Sequence, residues 1–198
     1  KKIINLARVG IGHIFGGLGV STQVAATIFG SLSGSGPASV AAIGKFLYPE
    51  LIKSGYKPCL ASSLVIQSGS VSLLIPPSIT LILFASVTNV SVNSLFLAGL
   101  GTGLIFAASV LVYIYLYSRK HGIKGENRAP FSDVLKALKE SFLALLVPVI
   151  IIGGIFSGIF TATEAAAVSA VYAIFIGMFV YKEITFNKLF ELCINSAK

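Results

Sequence analysis

From residue 58 to residue 118 the chain carries no charged residue, yet in mid-run it stacks Ser68-Gly69-Ser70-Val71-Ser72 and Pro76-Pro77-Ser78. A second uncharged stretch, residues 30–39, is interrupted by Ser33-Gly34-Ser35-Gly36-Pro37. Lipid offers no partner to a freed peptide group, so a helix broken at membrane depth must line a protein-enclosed cavity or bind something. Paired interruptions of this kind point to the ion and solute site of a secondary transporter.

Composition restricts the alternatives. Hydrophobic residues make up 55% and charged residues 11% of the 198, against about 25% charged in soluble domains. The formal charge of +8 would suggest nucleic acid if its cations were interleaved with aromatics. They are not: Lys1, Lys2, Arg8, Lys45, Lys53, Lys57, Arg119, Lys120, Lys124, Arg128, Lys136, Lys139, Lys182 and Lys188 all lie outside the apolar runs. Nucleic acid is therefore not an expected partner. Cys59 and Cys193 have no metal-site spacing, and nothing recommends a disulfide between them. A first residue that is Lys, with no cleavable leader after it, suggests a piece of a longer chain.

A crossing needs about 20 apolar residues. Residues 95–118, 142–160 (with Pro148 as a kink) and 165–181 each fit one, and Tyr113, Tyr115 and Tyr117 suit an aromatic belt. Residues 59–89 are too long for one regular helix and read as two half-helices, 59–69 and 77–87, joined by an unwound Ser/Pro segment. Residues 20–50 could cross once or return as a hairpin. A returning hairpin puts the cation clusters at 1–8, 45–57, 119–139 and 182–188 on one face, which the positive-inside rule makes cytoplasmic. The expected fold is therefore all-α and integral to the membrane. In order, it has an interfacial arm helix at 1–19, a re-entrant helical hairpin at 20–56 and a discontinuous transmembrane helix at 57–90. A transmembrane helix at 91–118, an amphipathic interfacial helix at 128–141, two scaffold transmembrane helices within 142–181 and the start of another interfacial segment at 182–198 follow. The amphipathic stretch shows Phe131, Leu135, Leu138 and Phe142 at helical spacing among Asp133, Lys136, Lys139 and Glu140.

Small residues at a hairpin tip can serve the turn alone. They can also leave hydroxyls and carbonyls to coordinate Na⁺, with half-helix N-termini to hold a carboxylate. Residues 68–72 and 75–78 offer the same chemistry. Gln67 reads equally as a solute contact or a helix–helix hydrogen bond. Thr161-Ala162-Thr163-Glu164 has the T-x-x-E form of a capping box, which outweighs a proton-relay role for Glu164. His13, beside a glycine-rich turn, reads as structural. No nucleophile, base or metal-ligand constellation sits in the apolar segments, so an enzyme is not expected.

The run Phe29-Gly30-Ser31-Leu32-Ser33-Gly34-Ser35-Gly36-Pro37-Ala38-Ser39 resembles the first hairpin tip of the large membrane subunit of tripartite ATP-independent periplasmic (TRAP) transporters. Lys53-Ser54-Gly55-Tyr56, Ile75-Pro76-Pro77-Ser78, Leu95-Phe96-Leu97-Ala98-Gly99 and Gly158-Ile159-Phe160-Thr161-Ala162-Thr163-Glu164-Ala165-Ala166-Ala167 follow in that family's order. The family subunit is built from two inverted repeats, and this chain would hold the first. The resemblance implies Na⁺-driven, elevator-type uptake of a carboxylate-bearing solute across the bacterial inner membrane. It also implies a periplasmic solute-binding protein, a small membrane subunit and the surrounding lipids as partners, with Na⁺ as coupling ion and no other cofactor. Carried over by position, Ser33, Gly34, Ser35, Ser68 and Ser72 form a Na⁺ site. Ser33, Ser35, Gly36, Ser39, Gln67 and Ser78 form half of the substrate site. Many members have Asp where Ser39 stands, and Gly-Pro where Ser72-Leu73 stands. The alternatives are a related Na⁺/carboxylate symporter without a binding protein, or a non-transporting scaffold subunit.

Overall fold

The computed structural model describes residues 2–181, 185, 189–191 and 194. Lys182, Lys188, Cys193 and most of the 182–198 segment lie outside them. The described residues hold no strand. Helices α1 (Lys2–Ile11), α2 (Gly17–Ser33), α3 (Gly36–Lys53), α4 (Pro58–Leu74), α5 (Ile79–Thr88), α6 (Val92–Lys120), α7 (Phe131–Phe156) and α8 (Ala162–Phe175) follow in order. A short π-helical stretch, Ile176–Val180, extends α8. The chain forms two compact units, Lys1–Phe142 and Leu143–Lys198.

The first unit is organised around α2. Its sequence is apolar or small on every side, so the helix must be enclosed, and Leu18, Val20, Ser21, Thr22, Gln23, Ala25 and Ala26 are all buried. Around it packs a core of Ile43, Leu47 and Leu51 from α3, Ala61, Leu64 and Val65 from α4, and Ile114 from α6. Proline opens α3 and α4, at Pro37 and Pro58, where a missing N–H costs nothing. The α2–α3 pair is a hairpin that comes back to its starting end. Tyr56, just beyond α3, donates its hydroxyl proton to the carbonyl of Gly16, just before α2, at 3.0 Å. Burial raises the Tyr56 pKa, which keeps the phenol a donor.

Arg8 fastens the same end. Its Nε donates to both carboxylate oxygens of Glu126 at 2.9 Å and its Nη1 donates to Glu50 at 3.0 Å. Hydrogen bonding to Glu126 holds the guanidinium above its ordinary pKa. Arg8, Lys53, Lys57 and Arg119 thus belong to segments that meet at one end of the unit. Lys45 lies further from that end. It sits eight residues before Lys53, about 12 Å along α3, in a groove with Val40, Tyr48, Ser62 and Val65.

Two expected boundaries shift. The first half-helix, expected to end near residue 69, continues as regular helix through Ser72 to Leu74, and the break falls at residues 75–78. The axes of α4 and α5 differ by 40° across that break. The amphipathic segment and the crossing after it form one helix, α7, with Pro148 inside it. Among the described residues, Val92–Lys120, Phe131–Phe156 and Ala162–Val180 are long and apolar enough to cross a membrane, and α4 with α5 qualifies as a bent pair.

Candidate functional site

At the hairpin tip, α2 ends on Ser33 and Gly34 turns the chain with φ 59°, a conformation that favours glycine. The Gly34 N–H closes α2 on the Gly30 carbonyl at 2.9 Å. Ser35 is extended and starts α3, its carbonyl accepting the Ser39 N–H at 3.1 Å. The Ser33 hydroxyl reaches no further than the Ser35 carbonyl, at 3.4 Å.

The tip is hooked onto the break in the fourth helix. The Gly34 carbonyl accepts the N–H of Ile79, the first residue of α5, at 3.2 Å, and a Cβ at position 34 would lie 2.5 Å from the Pro77 carbonyl oxygen. Ser33, Gly34, Ser35, Gly36 and Ser78 are thereby brought together. Ser78 is buried and donates to the Leu73 carbonyl at 2.7 Å, bridging the break. Four helix ends consequently meet here. The carbonyl ends of α2 and α4 carry partial negative charge and the N–H ends of α3 and α5 partial positive charge. Such a junction can hold a cation and an anion side by side without an ionised side chain.

Ser39, Ser68 and Ser72 form a second group below the tip, each fully buried. Ser72 donates to Ser39 Oγ at 2.7 Å and lies 2.9 Å from the Ser68 carbonyl, while Ser68 donates to the Val65 carbonyl at 2.5 Å. A serine hydroxyl can bond back to a carbonyl three or four residues earlier inside a helix, and Ser68 and Ser72 both sit within regular α4. Their hydroxyl oxygens keep lone pairs for a ligand. Gly30 makes the contact possible, since a Cβ there would stand 2.9 Å from Ser72 Cα.

Gln67 faces a different situation. Both polar atoms of its carboxamide are buried, and neither has a protein partner. The amide nitrogen of Gln23, a fully buried residue of α2, has none either. Sequence reading passed over Gln23, although a lone Gln inside an apolar helix was the available signal. It could not find the Gly34–Ile79 hydrogen bond at all, because that bond is made by backbone groups of ordinary appearance.

Elsewhere, Glu164 is engaged as a cap. Its carboxylate accepts the Thr161 N–H at 2.8 Å and its own N–H donates to the Thr161 hydroxyl at 3.3 Å, closing the capping box. His13 is exposed in the turn after α1. Among the described residues no three His, Cys, Asp or Glu side chains are placed to hold a metal ion.

Comparison with known proteins adds an independent finding. Residues 1–198 match the family described as tripartite ATP-independent periplasmic transporter, DctM component. The chain is 37% identical over 198 residues to the C4-dicarboxylate TRAP transporter large permease protein of Pseudomonas aeruginosa, covering all of this chain and 46% of that protein. It is 40% identical over 192 residues to the sialic acid TRAP transporter large permease protein of Vibrio cholerae, covering 97% and 45%. With the ectoine TRAP transporter large permease protein of Halomonas elongata the identity is 37% over 192 residues, covering 97% and 45%. The chain thus spans a little under half the length of these relatives.

Proposed function

The chain belongs to the DctM-component family of tripartite ATP-independent periplasmic transporters, and from that premise we propose that the full-length protein takes up a carboxylate-bearing solute in symport with Na⁺. A periplasmic binding protein delivers the solute, and a small membrane subunit braces the permease in the bacterial inner membrane. The relatives named above are permeases rather than enzymes. Their named solutes, C4-dicarboxylate, ectoine and sialic acid, share a carboxylate group.

The observation that carries the reading is the meeting of four helix ends at Gly34 and residues 75–78. Two carbonyl-bearing ends suit Na⁺, whose hard character calls for oxygen ligands. Two N–H-bearing ends suit a carboxylate. Ser33, Ser35, Ser68 and Ser72 supply the nearest hydroxyl oxygens to the ion, while Gly36, Ser39, Gln67 and Ser78 face the solute. Each Na⁺ carried inward across about 100 mV releases about 2.3 kcal/mol, which is the driving force. Movement is of the elevator type, and the moving body includes the part of the Lys1–Phe142 unit that carries this chain's share of the site.

The test is uptake by the complete transporter in proteoliposomes over a Na⁺ series. Ser33→Ala, Ser35→Ala or Ser68→Ala at a true ligand raises the Na⁺ concentration for half-maximal uptake and leaves insertion intact. Solute affinity falls in parallel, because coupling between two binding sites is reciprocal. Unchanged Na⁺ dependence in all three variants would make the tip a packing device and the chain a scaffold.

A further inference from the structure

In α6, Phe96, Gly99, Gly103, Ala107, Ile114 and Ser118 are buried and recur at helical spacing, so one stripe of the helix is turned inward. The N-terminal part of that stripe lies against the break in the fourth helix, where α6 packs on α4 and α5 alike. A Cβ at position 99 would stand 2.7 Å from the carbonyl oxygen of Leu74, the last residue of α4, and 2.7 Å from Leu81 Cδ1 of α5. One turn further on, a Cβ at position 103 would stand 2.7 Å from Ile75 Cγ1 and 3.4 Å from the Ile75 backbone nitrogen. Gly101, between them in sequence, has open space where its Cβ would be.

Non-bonded carbon rests at about 3.5–4.0 Å from its neighbours, so these approaches exist only because positions 99 and 103 carry no side chain. The break itself is loosely tied. Pro76 and Pro77 have no N–H to donate to the carbonyls of Ser72 and Leu73. The Ser78 hydroxyl takes up the Leu73 carbonyl at 2.7 Å, and the Ile75 N–H closes on the Val71 carbonyl at 3.0 Å. The Ile79 N–H goes instead to the hairpin tip. The 40° between α4 and α5 is therefore set less by helical bonds across the break than by what the two halves lie against.

We propose that Gly99 and Gly103 are positioning residues, which let α6 lie flush against both halves of the broken helix and so fix where the Leu74 end of α4 and the Ile79 end of α5 stand beside the hairpin tip. They act through Leu74, Ile75 and Leu81. A methyl group at position 99 would have to push the Leu74 backbone by roughly 0.8 Å to reach an ordinary contact distance. That displacement falls on the carbonyl end offered to the ion, and through the break on the N–H end offered to the solute. The inference rests on the transport reading above, because only a site at the break makes its position matter for binding.

The experiment measures uptake by the full-length transporter with its partner subunits in proteoliposomes over a Na⁺ series. Gly99→Ala is expected to raise the Na⁺ and solute concentrations for half-maximal uptake about threefold or more, with uptake at saturating Na⁺ retained. Gly103→Ala should act in the same direction but less, because the Ile75 side chain it meets can turn aside and the Leu74 carbonyl cannot. Gly101→Ala should leave both concentrations unchanged. Adding Leu81→Ala to Gly99→Ala should restore neither, since the backbone oxygen still stands in the way. If Gly99→Ala fails to insert, Gly103→Ala against Gly101→Ala decides the matter alone. The proposal is overturned by unchanged half-saturation in the position 99 and 103 variants, even with a lowered melting temperature. An equal effect of Gly101→Ala, or rescue by Leu81→Ala, overturns it as well. Unmutated protein whose uptake ignores Na⁺ would instead sink the transport reading, so the two failures are told apart.

Discussion

At the scale of single residues, what decides a role is whether a polar group already has a partner. Glu164 is the one acid embedded in apolar sequence, and its carboxylate is committed to the Thr161 N–H at 2.8 Å. Thr161→Ala is therefore expected to cost about 1 kcal/mol of stability and Glu164→Gln to lower stability without abolishing uptake. Thermal unfolding alongside uptake would check this, and a well-folded but inactive Glu164→Gln protein would overturn it. Gln67 is the opposite case, a buried carboxamide with no protein partner. An unpaired buried polar group costs about 1–3 kcal/mol, so Gln67→Leu should raise the melting temperature of the full-length protein. If the amide serves the solute, the same change raises the solute concentration for half-maximal uptake. A fall in melting temperature would mean that the amide has a structural partner in the complete transporter.

At the scale of elements, the contrast between two serine-rich stretches is instructive. Residues 68–72 stay helical because every one of them keeps a backbone N–H to donate, with the Ser68 hydroxyl bonding the Val65 carbonyl and the Ser72 hydroxyl reaching across to Ser39. Residues 75–78 cannot, because Pro76 and Pro77 remove two donors in succession. In α7 the surface pattern changes near residue 142 but the backbone does not, since no Gly or Pro stands between Phe131 and Val147. The hairpin tip depends on Gly34 twice, for its φ of 59° and for its approach to Pro77. Left-handed backbone costs a residue with a Cβ roughly 1–2 kcal/mol, and the contact adds to that. Gly34→Ala should therefore unfold the unit at lower temperature and weaken Na⁺ and solute affinity together. Affinities held at their original values would separate the tip from the site.

At the scale of the whole molecule, one end of the Lys1–Phe142 unit gathers the Arg8–Glu50–Glu126 cluster and the Tyr56–Gly16–Ser118 contact. Single cysteines at positions 8, 53, 57 and 119 of the full-length protein should be labelled by a membrane-impermeant reagent from the cytoplasmic face alone. Position 45, about 12 Å further along α3, should react more slowly than position 53. Periplasmic labelling of position 53 would mean that the hairpin crosses rather than returns.

The sequence by itself determined the helical membrane class, because the uncharged run from residue 58 to residue 118 lacks the short alternating segments of a membrane barrel, and a helix then satisfies the backbone groups in lipid. It also determined the capping box at Thr161, the glycine turn at Gly34 and the family, since each is written in adjacent residues or in a fixed order of short motifs. Tertiary structure alone decided where the fourth helix breaks, that Gly34 meets Ile79, that Ser39 meets Ser72, and that Gln67 and Gln23 go without protein partners. The physical reason is common to all four. Whether a serine or amide frees a helix, joins two helices or stands ready for a ligand depends on which atoms lie opposite it. Those atoms come from segments up to 45 positions away along the chain, as Gly34 and Ile79 do.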